Sequence, residues 1–230
     1  MASVAVAAPF RWYRTSLGKK LVMAVTGVMM ILFVIGHILG NLKIFEGAAV
    51  IDTYAGFLRT VGAPVFLNSQ VLWLIRPVLL AAAVLHIVAA VQLTQQNHAA
   101  RPTSYAKKSD LNATFASRTM RWGGTFLALF IVFHILNLTT GTLHPHFEDG
   151  KVYQNVVNDF QVWWISLIYI AAMIALGLHL YHGTWSVFQT LGVRTQRNTR
   201  AIRIGAGILA GLFMVASIAM PVGVLVGFVK

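Results

Sequence analysis

Five uninterrupted apolar runs, at positions 21–39, 71–93, 122–138, 162–181 and 204–229, govern what this chain can fold into. Each has about the length that an α-helix needs to cross a ~30 Å hydrocarbon layer at ~1.5 Å rise per residue. Unpaired peptide groups are costly in hydrocarbon, so helix is the conformation these runs dictate, and no alternating pattern suggests a barrel. Four runs carry no charged side chain; the second carries one, Arg76, followed by Pro77. With 57% apolar and only 10% charged residues, the chain does not have the surface of a soluble globule. The expected fold is an all-α integral membrane protein, a single five-helix transmembrane domain over residues 1–230.

A net charge of +12 would suit a nucleic-acid binder if the basic residues were spread over a soluble surface. Instead they alternate with the runs. Arg11, Arg14, Lys19 and Lys20 precede the first run, Arg101, Lys107, Lys108, Arg118 and Arg121 separate the second from the third, and Arg194, Arg197, Arg200 and Arg203 separate the fourth from the fifth. The other connections hold Lys43, Arg59 and Lys151 together with Glu46, Asp52, Glu148, Asp149 and Asp159. By the positive-inside rule the N-terminus is cytoplasmic and the C-terminus outside. The basic residues mark topology and a docking face for protein partners, and lipid, not nucleic acid, is the surroundings.

Trp12, Trp73, Trp122, Trp163 and Trp164 fall near run ends, as an interfacial aromatic belt requires. The segments 40–69 and 141–159 are long enough to fold over helix ends on the acidic side. Residues 1–9 are too short and too lightly charged for a secretory signal, and the first run is long enough to remain as a span. No Cys is present, which excludes disulfides, iron–sulfur ligation and covalent c-type haem attachment. Any cofactor must be held by His or oxygen.

Ionisable residues within spans are uncommon and are functional candidates by default. His37, His86 and His134 lie in the first three runs, and His179 and His182 at the end of the fourth. A lone intramembrane His can be an interhelical hydrogen-bonding residue, but four on successive helices point to a shared ligand. His37 lies four residues before Asn41 and His134 three before Asn137, whereas His86 and His179 each lie 18 residues after the polar Asn68 and Gln161. These are two depths, roughly 20 Å apart before tilt. The expected pairs are His37 with His134 near the outer face and His86 with His179 nearer the cytoplasm. Two such pairs fit two haems, each iron taking one imidazole from either side, which leaves electron transfer as the chemistry.

Small residues one turn away let a flat macrocycle approach the backbone: Ala82, Ala83, Ala89 and Ala90 around His86, Ala175 and Gly183 around His179, Gly36 and Gly40 around His37. His134 lacks such neighbours. His182 shares a helix side with His179; depth favours His179, leaving His182 as an interfacial residue or a haem-propionate contact. Arg76 is either an interfacial arginine or a partner of an outer propionate. His98, His144 and His146 read as solvated residues. All six acidic residues lie outside the runs, so no carboxylate within a span can relay protons.

The segment from His179 through Leu, Tyr, His182, Gly183, Thr, Trp185 and Ser186 to Gly192 resembles the H-x-x-[HN]-G-x-W-S motif of the di-haem cytochrome b membrane subunits of succinate dehydrogenases and fumarate reductases. The stretches 16–20 (SLGKK), 36–41 (GHILGN) and 116–121 (ASRTMR) are similar too, so the resemblance covers nearly the whole chain. It implies that the first His of the motif, His179, is the ligand, and that two haem b groups are bound. It further implies a complex in the bacterial cytoplasmic (inner) membrane, the respiratory complex II of the tricarboxylic acid cycle. An FAD-containing flavoprotein and an iron–sulfur subunit would dock on the cytoplasmic face, with electrons passing through both haems to a quinone, menaquinone by the resemblance. The succinate site would not lie on this chain. An acidic residue beside the outer haem helps form the quinone site in some relatives, a role open here to Glu46 or Asp52, and with a quinone there Arg76 has a second candidate partner. One departure is Gly177, where a related fumarate reductase type has a carboxylate. The competing readings are the cytochrome b subunit of a hydrogenase or formate dehydrogenase, and a His-dependent transporter, which would normally show broken helices or repeats.

Overall fold

The computed structural model describes residues 8–100 and 115–230. Arg101, Lys107 and Lys108 lie outside the described residues, as do the side chains of 115–118. Every regular element among the described residues is helical: α1 (Ala8–Tyr13), α2 (Ser16–Asn41), a 3₁₀ turn (Leu42–Glu46), α3 (Ala48–Thr60), α4 (Gln70–Ala99), α5 (Phe115–His134), a π-helical turn (Ile135–Thr139), α6 (Val152–Gln161), α7 (Trp163–Thr190) and α8 (Thr199–Leu225). Five helical stretches, one in each expected run, are long and apolar enough to cross a membrane. Trp12, Trp73, Trp122, Trp163 and Trp164 are all exposed, as belt residues would be.

Local chemistry sets the boundaries. Thr15 caps α2 by accepting the Gly18 N–H at 3.0 Å. A side chain at Gly18 would strike the Trp12 carbonyl oxygen, so only glycine lets α1 fold against the start of α2. Lys19 buries its stem there and donates to the Arg14 carbonyl at 2.9 Å. At the opposite, acidic end the two long connections form α3 and α6. These pack on each other, and Asp52 of α3 accepts the Tyr153 N–H at 2.9 Å, capping α6 from a neighbouring helix.

The spanning helices are unequally supported. α7 packs against α2, α5 and α8, and α2 packs along α4. Ala82 and Ala89 are almost fully buried on α4, so their small size serves the α2–α4 contact. Gly40, expected to make room for a macrocycle, instead receives the Tyr54 ring, whose Cε1 would lie 2.6 Å from an added Cβ. Gly177 faces Met214 of α8, which explains why a carboxylate is unsuited to this position: it would enter the α7–α8 contact.

Candidate functional site: two histidine pairs in the bundle

The rings of His37 and His134 are 5.9 Å apart between centroids and nearly perpendicular, at 82°. Those of His86 and His179 are 6.2 Å apart at 54°. The four residues therefore meet in the combinations expected from depth. Neither pair lies on helices that pack along each other: the packed pairs are α2 with α4, α5 with α7 and α2 with α7, whereas the histidines reach from α2 to α5 and from α4 to α7. Each couple bridges a wide side of the bundle. Two imidazoles bound axially to one metal through nitrogens at about 2 Å put their ring centroids about 6 Å apart, so both separations fit an iron between the rings.

The vertical spacing follows from contacts on three helices. On α7, Tyr169 bonds to His134 and lies ten residues before His179. On α5, Gly124 faces His179 and lies ten residues before His134. On α2, Thr26 touches His86 and lies eleven residues before His37. Each gives about 15 Å along the helix, a little less than the spacing read from polar boundaries. We call the pair at the acidic end outer and the other inner.

Hydrogen bonds fix two of the rings. His86 Nδ1 lies 3.1 Å from the Met23 carbonyl and 3.2 Å from the Thr26 hydroxyl. Thr26 already donates to Val22 O, so both neighbours accept, and the His86 proton belongs on Nδ1. That leaves Nε2 with a bare lone pair, as a metal ligand needs. His134 Nδ1 is likewise engaged, 3.1 Å from the Tyr169 hydroxyl. His37 stacks on Phe33 with centroids 5.4 Å apart. His179 Nδ1 is buried without a partner among the described residues.

Glycines absent from the sequence reading border the inner pair. A Cβ on Gly27 would lie 3.4 Å from His86 Cε1, and one on Gly124 would lie 3.9 Å from His179 Cε1. On the basic side of this pair, Gln92 Oε1, Thr184 Oγ1 and Trp185 Nε1 are buried without partners among the described residues. Both Arg194 and Arg203 lie over the Trp185 ring, 5.0 and 5.3 Å from its centroid. His182 is half-buried beside the same ring, at 6.1 Å. A group with anionic substituents would find donors and cations together here.

The remaining candidates sit elsewhere. Arg76 is exposed, its guanidinium 4.8 Å from the centroid of the Trp73 ring. Glu46 is exposed and pairs with Lys43 at 3.7 Å, and Asp52 caps α6. His98 and His146 are exposed, but His144, read from sequence as solvated, is only 6% exposed. It is buried because its Nε2 bonds to the Asn155 carbonyl at 3.0 Å and its Nδ1 accepts the His146 N–H at 3.2 Å. No local sequence pattern signals this burial, since the bonds join a loop to α6.

Comparison with known proteins adds one finding. The model of the family described as succinate dehydrogenase/fumarate reductase transmembrane subunit matches residues 94–219, more than half of the chain. Neither a curated protein nor a solved structure matches. The matched region runs from the end of α4 into α8 and includes one histidine of each pair, His134 and His179. On the extent of this match, the chain belongs to the succinate dehydrogenase/fumarate reductase transmembrane subunit family.

Proposed function

We propose that this chain is the membrane-anchoring cytochrome b subunit of a succinate:quinone oxidoreductase in the bacterial cytoplasmic membrane. The observation that carries the reading is the pair of ring separations, 5.9 and 6.2 Å, each spanning helices that do not pack together. His37 and His134 would hold an outer haem b, and His86 and His179 an inner one. When bound, the haems supply one-electron transfer between an iron–sulfur subunit and a quinone, with menaquinone the proposed acceptor, and leave no open iron position.

The chain's own groups do the positioning. Met23 and Thr26 hold His86 in the tautomer that offers Nε2, and Tyr169 orients His134. Gly27 and Gly124 leave space beside the inner rings. Thr184, Trp185, His182 and the two arginines over Trp185 suit the inner propionates. The positive-inside rule assigns the basic end to the cytoplasm, where a flavoprotein carrying FAD and an iron–sulfur subunit would dock. The family match favours this reading over a hydrogenase or formate dehydrogenase subunit and over a transporter.

The test is the purified complex itself. A reduced-minus-oxidised spectrum with a b-type signal, about two haems per chain by pyridine haemochrome and co-purifying flavoprotein and iron–sulfur chains are expected. A haem-free chain would overturn the assignment. Arg76, stacked on an exposed Trp, is assigned to the interface. Arg76→Gln is therefore expected to leave haem content, outer-haem potential and quinone KM unchanged, and a lowered potential or raised KM would instead tie it to the outer site. Glu46 and Asp52 are the acidic residues nearest in sequence to the end of α2, and Glu46, free of a capping role, is the better quinone candidate.

A further inference from the structure

Asp159, near the end of α6, has a side chain only 1% exposed. It lies outside the spanning helices, yet it is not solvated. Asn137, in the π-helical turn directly after α5, donates its amide N–H to Oδ2. The closest candidate counterion is His144, with Nε2 3.9 Å from Oδ1. Its Nε2–H is directed to the Asn155 carbonyl, and its Nδ1 accepts the His146 N–H, so both ring nitrogens are already engaged. Burial pushes the Asp159 carboxyl above the usual carboxylate range, opposed by the Asn137 amide and by whatever positive charge His144 carries.

The groups around this carboxyl can be named from every packed element. His144 faces it from the loop and Tyr169 from α7. α3 contributes Asp52, which is taken up at the other end of α6 by the Tyr153 N–H. The ionisable side chains of α8, Arg200 and Arg203, are both at the basic end. Lys230 meets α6 through its carbonyl, which accepts from the Tyr153 hydroxyl at 2.8 Å.

Asn137 joins this carboxyl to the outer histidine pair. The Tyr169 hydroxyl lies 3.1 Å from His134 Nδ1 and neighbours both the Asn137 side chain and Asp159. Two residues, Tyr169 and Asn137, thus stand between a ligand candidate and a buried acid, with His134 Nδ1–H donating toward Tyr169 if Nε2 faces iron. A negative charge at Asp159 stabilises the more positive, oxidised form of a centre between His37 and His134. Protonation removes that preference.

We propose that Asp159 is a redox-linked proton site: it takes one proton from the acidic side of the membrane when the outer centre gains one electron, and releases it on reoxidation. This rests on the outer pair holding a haem. The balance is one electron from the complex and one proton from water, with the carboxylate becoming a neutral carboxylic acid and no other bond changed. His144 stands two residues from the exposed His146, so the solvent of the acidic side is one loop away.

The test is a spectroelectrochemical titration of the intact complex at a series of pH values. In the wild type the outer-haem midpoint should fall as pH rises through a window above the ordinary carboxylate range, while the inner midpoint serves as the internal control. Asp159→Asn should keep both haems, lose that slope and stay at the acid-side midpoint, since the amide mimics the neutral acid. Asp159→Glu should restore the slope. In the wild type, reduction should also add a carboxylic-acid C=O band to the redox-difference infrared spectrum, and it should vanish in Asp159→Asn. An outer midpoint with no slope in the wild type, or the same slope in Asp159→Asn, overturns the proposal while leaving the haem assignment standing. If Asp159→Asn does not assemble, absence of the wild-type infrared band overturns it alone. A complex without an outer haem would instead sink the reading beneath it.

Discussion

His179→Ala protein is expected to leave the membrane with about one haem per chain in place of about two, and His86→Ala protein should lack the same one. The two rings face each other at 6.2 Å from α4 and α7, helices that do not pack along each other, so removing either would leave the proposed iron held by one imidazole in place of two. His37→Ala and His134→Ala should remove the other haem, for the same reason applied to the 5.9 Å pair. Pyridine haemochrome gives the count, and a redox titration distinguishes which centre remains. The four variants should fall into two groups of two. His182→Ala should fall into neither, since its ring lies beside Trp185 and not across from His86. Two haems persisting in His179→Ala would transfer the ligand role to His182 and break the pairing.

The second large effect concerns a residue with no side chain. Gly27→Leu should lose the inner haem and keep the outer one, with haem content falling by about half. A Cβ at this position would already lie 3.4 Å from His86 Cε1, and the rest of a leucine must extend over the imidazole that Met23 and Thr26 hold in place. Overpacking of this kind costs about 1–3 kcal/mol, enough to expel a ligand from a tight site without unfolding five spanning helices. Gly205→Leu is the control, because that position is exposed with no atom near its Cβ. Equal haem content in the two leucine variants would mean that the space beside His86 is not needed.

How far these features could be read in advance depends on the length scale of the interaction. The five spans follow from runs of apolar residues, a local property, and the histidine couples follow from distance to the nearest polar boundary, which helix geometry converts into depth. The roles of Gly27 and Gly124 did not follow, since glycine in a spanning helix also serves ordinary packing and only the partner helix tells which. Asp159 was hidden for a stronger reason. Its environment is assembled from Asn137, His144 and Tyr169, contributed by the π-helical turn, a loop and α7, and a polar stretch between spans carries no periodicity that reports burial. The π-helical turn was equally illegible, although such turns often accompany functional sites, and this one sets the facing of Asn137 just after His134.

The uneven packing of the spanning helices bears on how the subunit is made. α4 leans mainly on α2, and α5 mainly on α7, so each of these helices packs along one neighbour and faces another across a histidine pair. Apolar side chains gain little by leaving lipid for another helix, so a newly inserted chain has weak reason to close those sides by itself. A ligand that binds only the closed form adds its binding free energy to closure. With the proposed haems as that ligand, biogenesis would be gated by porphyrin supply: under iron or haem starvation the apo-chain would linger with α4 and α5 ajar, a substrate for membrane quality-control proteases, and its abundance in the membrane should track haem synthesis even when transcription is held constant.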